Sequence, residues 1–246
     1  MKKFSIFIIL ITNIAFSQNK ETKFNLSFKT GITFANMYGK DVSNETFLNG
    51  DSPETFYANS PASNHLKDGN NFGLLLNYKF SKHLSLGLGV SYIQKGTRIN
   101  ATSNWNSTSS SFDNVSGKIN WIQNYWTFDI PLTFYIPLKK DDFYFESGWF
   151  FANLNNSKEK GNIKILNTEY KYVNNRRANK NESGYFLGIG YLKSLKKSTN
   201  KILFELKWSR SVSKSLGADM IPFPQIYHNQ TYSINIGYVF KLKKKK

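Results

Sequence analysis

From Phe24 onward, apolar and polar residues alternate along the chain. In FNLSFKTGITFANMY (24–38), Phe24, Leu26, Phe28, Ile32 and Phe34 fall on every second position, with Asn25, Ser27, Lys29, Gly31 and Thr33 between them. Successive side chains of a strand point to opposite faces, so this segment predicts a strand with one oily and one polar side. The pattern recurs over 71–80, 84–95, 124–136, 142–153, 183–193, 201–210 and 230–242. That predicts eight strands of ~10 residues or more, each long enough to cross a bilayer when tilted.

The connections alternate in length. Links of about 39–70, 96–122, 154–182 and 211–229 interleave with the turns Ser81–His83, Pro137–Asp141 and Ser194–Asn200. Long loops on one side and short turns on the other describe an up-and-down transmembrane β-barrel, with long outer loops and short periplasmic turns. A soluble sandwich has no reason to keep that alternation. Running the strands alternately up and down adds two aromatic belts facing lipid. Tyr92, Trp126, Tyr185, Trp208 and Tyr232 fall near the loop end, together with Tyr38, Phe72 and Phe151. Phe24, Phe80, Phe134, Phe143, Tyr191, Tyr238 and Phe240 fall near the turn end. Aromatic girdles of this kind mark the bilayer interfaces. The expected fold is therefore all-β, an eight-stranded antiparallel barrel whose oily face meets lipid.

The chain also resembles the eight-stranded outer-membrane β-barrel family labelled porin-family or PorT-like, with an OmpA-like barrel. The resemblance rests on FKTGITFANM (28–37), WTFDIPLTFYIPL (126–138), FYFESGWFF (143–151), SGYFLGIGY (183–191), ELKWSRS (205–211) and SINIGYVFKL (233–242). It implies an outer-membrane barrel of a Gram-negative bacterium, and no catalytic residue carries over from it.

The ends agree with export. Lys2 and Lys3 precede the apolar run FSIFIILITNIAF, and Ala15 and Ser17 supply small side chains before a cut after Ser17. This is the layout of a secretory signal peptide. It divides the chain into a signal peptide at 1–17, a barrel domain at 18–242 and a basic tail at 243–246. An even strand number then leaves both mature termini in the periplasm. The absence of cysteine excludes disulfides, thiolate metal sites, a cysteine nucleophile and a lipid-modified cysteine.

Formal net charge is +17, and the mean hydropathy of −0.45 argues against a bundle of membrane helices. For an exported chain this charge suits anionic lipid and lipopolysaccharide rather than nucleic acid. The loops mix aromatics (Trp105, Phe112, Trp121, Phe223, Tyr227) with Arg98, Lys158, Lys160, Arg176 and Arg177. They are the expected place for a lipopolysaccharide contact or an envelope partner of a monomeric barrel. The tail KLKKKK is read as solvated.

Candidate chemistry lies on the inner face. Alternation turns Lys29, Lys79, Asp129, Glu146, Glu205 and Lys207 inward. Eight strands leave room only for side chains, and buried charges require partners. Asp129, Glu146 and Glu205 are therefore expected to interlock with Lys29 and Lys207 as a plug, with a gated pore as the alternative. Inward Gly87, Gly89, Gly148, Gly188 and Gly190 make room for long side chains or kink the strands. His65, His83 and His228 fall in separate connections, without H-x-x-x-H or H-E-x-x-H spacing. No metal, cofactor or catalytic residue is expected, and a lipid-modifying enzyme is the weakest reading.

Overall fold

The computed structural model describes residues 24–107, 109–196, 198–213, 215–217 and 225–242. The expected signal peptide, the tail at 243–246 and Phe223 lie outside them. Twelve strands follow in chain order: β1 Phe24–Tyr38, β2 Glu45–Asn49, β3 Tyr57–Ala58, β4 Lys67–Lys79, β5 Leu84–Asn106 and β6 Ser111–Pro137. Then come β7 Asp142–Ile165, β8 Thr168–Asn175, β9 Asn181–Ser194, β10 Lys201–Ser211, β11 Ser215–Gly217 and β12 Gln225–Lys241.

Eight of them (β1, β4, β5, β6, β7, β9, β10 and β12) pair with their chain neighbours, all antiparallel, and β12 pairs back onto β1. The sheet is a closed ring without an edge. Its stagger follows from the pairing. Phe24 faces Tyr78, then Leu86, Leu132, Ser147, Leu187, Trp208 and Tyr232 in turn, and the path returns to β1 at Phe34, ten residues beyond its start. With strands ~4.8 Å apart and a rise of ~3.3 Å per residue, eight strands with that stagger tilt by about 40°. The outer wall of the ring is apolar and open to its surroundings. Ile32 is 55% exposed, Leu74 53%, Leu88 52%, Phe145 52% and Ile234 56%.

The long connections hold more structure than alternation over 24–242 predicts. The segment 96–122, expected as a low-complexity loop, is mostly strand. β5 runs on to Asn106 and β6 starts at Ser111. β7 likewise continues to Ile165 and turns back as β8. β2 joins the prolonged β5 in parallel, and β3 pairs with β2. A cap of strands β3-β2-β5-β6-β7-β8 thus rises from one side of the ring at the loop end. Ser and Asn leave a strand undisturbed when their side chains face water and the alternate positions are filled. Here those alternate positions are Ile99, Ala101, Val115, Ile119 and Ile163, which meet Leu48, Phe56, Ala58 and Tyr172 in an apolar core.

One residue sets the facing of β7 in the cap. Asn124 pairs with Asn156 and Tyr125 with Leu154, which leaves Asn155 as a β-bulge. Below it the even positions of β7 point inward (Tyr144, Glu146, Phe150, Ala152). Above it the odd positions do (Ser157, Glu159, Ile163). A single extra residue exchanges the two faces of a strand.

Candidate functional site

The interior holds a column of ion pairs, most of them buried and several set against aromatic rings. At mid-height Lys29 Nζ lies 2.9 Å from Glu205 Oε1, and Lys207 Nζ lies 2.8 Å from Asp129 Oδ2. Glu205 also accepts from Tyr144 Oη at 2.9 Å and Asn235 Nδ2 at 2.7 Å. Lys207 Nζ sits 3.7 Å from the centre of the Phe186 ring. The structure therefore brings four of the five expected residues into two direct pairs. Glu146 is buried beside them, but its Oε1 has no hydrogen-bond partner among the described residues, so the expected interlock of all five is not what forms. Gly188 supplies its room: a Cβ there would stand 2.6 Å from Glu146 Cγ. Gly190 does the same for the Tyr144 ring, at 2.2 Å from Cζ. Lys79 lies over the Tyr135 ring, 4.1 Å from its centre.

Three further tiers escaped the pattern. Toward the loop end, Lys95 Nζ contacts Glu182 Oε1 at 2.7 Å, and Asn229 Nδ2 donates to Glu182 Oε2 at 2.9 Å. Lys95 ends the stretch 84–95 and Glu182 stands one residue before 183–193, so extending the alternation by one position finds the pair. In the floor of the cap, Arg176 pairs with Glu159, which also accepts from Tyr172 Oη and the Ala58 amide, each at 2.7 Å. Burial, and then the nearby Glu159 carboxylate, raise the Tyr172 hydroxyl above its usual range, so it stays a donor. Arg176 and Trp121 were expected in a surface loop. Both turn inward, with the guanidinium 5.6 Å from the Trp121 ring centre and Trp121 fully buried. Tyr227, also expected on a loop, packs against Trp121 at 5.6 Å between ring centres. At the turn end Lys201 Nζ meets Asp142 Oδ2 at 2.5 Å.

Small voids lie between the tiers. Interior voids of 30 Å³, 10 Å³ and 30 Å³ are lined by Glu146 and Glu205, by Lys29 and Asp129, and by Lys95 and Lys207 respectively. A void of that size holds about one water. A larger hollow of 680 Å³ is lined mainly by outward residues of the wall, with Ser147 among Leu132, Phe145 and Leu187.

The belt residues form rows on that wall. Near the loop end Phe72 stacks on Tyr92 at 5.2 Å, Tyr92 meets Trp126 at 5.4 Å, and Tyr185 meets Trp208 at 5.6 Å. Tyr232 follows Trp208 by pairing with it. Near the turn end Phe24 meets Tyr78, Tyr78 meets Phe80, Phe143 meets Tyr191 and Tyr238 meets Phe240, at 4.9, 5.1, 5.0 and 4.5 Å. His83 stacks on Phe134 at 6.0 Å.

The histidines stay apart. His83 Nδ1 lies 3.0 Å from the Tyr135 carbonyl, His65 bridges Arg98, and His228, within β12 rather than before it, lies 2.9 Å from the Ser213 carbonyl. Among the described residues no three His, Cys, Asp or Glu side chains come together to hold a metal ion.

The model of the family described as "Outer membrane protein beta-barrel domain" matches residues 16–217. Among solved structures, the chain is similar to Neisserial surface protein A, with 7% identity, 91% of this chain and 100% of that chain covered, and a TM-score of 0.46. It is also similar to the outer membrane protein OprG of Pseudomonas aeruginosa (11%, 90% and 98%, 0.44) and to the outer membrane protease OmpT of Escherichia coli (12%, 92% and 99%, 0.36). No curated protein matches the sequence.

Proposed function

Since the chain belongs to the outer membrane protein beta-barrel domain family, and so to the outer membrane of a Gram-negative bacterium, we propose that it is a plugged barrel that holds a folded binding cap at the cell surface. The observation that carries this reading is the cap's own apolar core, built from strands that continue out of the ring. A solvated loop needs no such core, whereas a rigid platform for binding does. The stacked ion pairs and the small voids support a structural lumen. In this reading both mature termini are periplasmic, the chain acts as a monomer, and it has no catalytic role.

A gated path for small solutes is the second reading. One observation favours it: Glu146, with an unpartnered oxygen, faces two of the three voids. Single-channel recording of the refolded barrel in a planar bilayer separates the two. A silent bilayer with folded protein supports the plug. A steady conductance that changes with Asp129→Asn or Lys207→Gln makes the lumen the site. Protease shaving of intact cells tests the cap: cleavage between β7 and β8, near Leu166, is expected only if the cap faces outward.

A further inference from the structure

The outer side of the cap is as basic as its inner side is apolar. Pairing sets four rows across β5, β6, β7 and β8: Ile122–Lys158–Asn175; Arg98–Asn120–Lys160–Val173; Asn100–Lys118–Asn162–Lys171; and Ser116–Lys164–Glu169. One sheet face thus carries five lysines and an arginine against two carboxylates, Glu169 and, on the neighbouring β2, Glu45 opposite Asn100. Arg98 is engaged by Asp68 at 3.1 Å. Lys118, Lys158, Lys160, Lys164 and Lys171 are exposed, and none has an ion-pair partner among the described residues. Neighbouring strands lie ~4.8 Å apart and same-face residues of one strand ~7 Å apart. The ammonium groups therefore stand within about one Debye length of their neighbours and act as one field.

We infer that this face binds the anionic sugar headgroups of the glycolipid that forms the outer leaflet around the barrel. The inference rests on the cap facing outward, as proposed above. Charge complementarity selects a polyanion, and direction selects its source. The face looks sideways from the wall, not along the barrel axis. Lys158 and Lys160 follow the belt residue Phe151 by seven and nine positions. With the rise and tilt of this ring, and the bulge adding no rung, they stand about 15–20 Å beyond the belt, above the hydrocarbon and beside the sugars. A soluble ligand arriving from the medium would first meet the tip, where Trp105 and Phe112 pack edge-on at 5.1 Å. The bulge at Asn155 is what turns Lys158, Lys160 and Lys164 to this side.

The test uses the full chain folded in nanodiscs. Capture of purified lipopolysaccharide is compared with capture of its dephosphorylated form, at low and at ~0.5 M salt, where screening is strong. The expected result is at least tenfold preference for the phosphorylated form, lost in high salt and lost in K118E/K158E/K160E. K118Q/K158Q/K160Q serves as a second variant that adds no new repulsion, and altered migration of the unheated sample verifies that each variant is folded. Equal capture of both forms by the wild type overturns the inference. So does tight binding of inorganic polyphosphate without a preference among lipopolysaccharides, which would assign the face to soluble polyanions. If shaving shows the cap to be inaccessible from outside, the functional reading fails as well. An accessible cap with no preference removes only this inference.

Discussion

The ring and the cap share three strands, β5, β6 and β7, which run through both with opposite polarity. On β5, Leu86, Leu88 and Val90 point out of the ring while Ser85 and Lys95 point in. A few residues further on, Arg98 and Asn100 point out while Ile99 and Ala101 point in. β6 repeats the exchange, from Phe128 outside and Asp129 inside to Lys118 outside and Ile119 inside. The strand geometry is unchanged, but the solvent is not. Hydrocarbon outside demands an apolar wall and leaves the narrow interior to polar groups that satisfy one another. Water outside restores the ordinary arrangement, in which apolar burial holds the cap together. A strand is thus hydrophobic on whichever side water is missing.

The largest way to break this contrast is Ile119→Lys, at a fully buried position of the cap core. An unpaired buried ammonium costs several kcal/mol, more than so small a core can absorb. Amide exchange should show the cap unfolded while the ring keeps its protection. A cap that stays protected would mean that its apolar core is not what holds it together. Next is Glu205→Leu, which strands Lys29 inside the ring and should cost about 3–5 kcal/mol in urea unfolding from lipid vesicles. The double variant Lys29→Met/Glu205→Leu should recover most of that loss. Leu88→Arg and Asn100→Arg then test one face of one strand on either side of the boundary. The first should lose ~2–4 kcal/mol near mid-membrane, the second less than ~0.5 kcal/mol. Equal losses would mean that the boundary does not lie between them.

The smallest effect lies at the turn end. Tyr191, the Ser194 amide and Lys193 hold the Asp141 carboxyl below its ordinary 3.8, at about 2. A depressed folded-state value stabilises above the unfolded value and is lost as pH falls through about 2. The gap in unfolding midpoint between wild type and Asp141→Asn should be constant above pH ~4 and close by pH ~2. A gap that persists into acid would assign the effect to packing.

The ring was legible because its alternation is strict over each crossing, and apolar residues on one parity leave no other solution. Lys29, Asp129, Glu205 and Lys207 were legible for the same reason, since parity alone turned them inward. Glu146 was placed correctly, but its lack of a direct partner depends on distances that parity does not carry. The cap was hidden by two things. Its Ser- and Asn-rich hairpin looks like a loop when its outward residues are read for oiliness, although Ile99, Val115 and Ile119 hold an inward period. On β7 the bulge shifts the period midway, so Glu159 and Ile163 fall out of phase with Glu146 and Phe150. Arg176 and Trp121 could be assigned inward only once Glu159 and Ser157 were known to face them, at contacts that span tens of residues.

The seam where β12 meets β1 also fixes an order of events. Fourteen consecutive residues of β1, from Asn25 to Tyr38, find their partners on the last strand of the chain. Until that strand arrives, β1 presents a row of unsatisfied amides and carbonyls, which hydrocarbon does not tolerate. The first strand made must therefore wait for the last. Closure joins residues 190 to 216 positions apart and is a slow, late step by its topology. A chain cut short before β12 would hold nearly every contact of the ring and still have no way to live in a membrane.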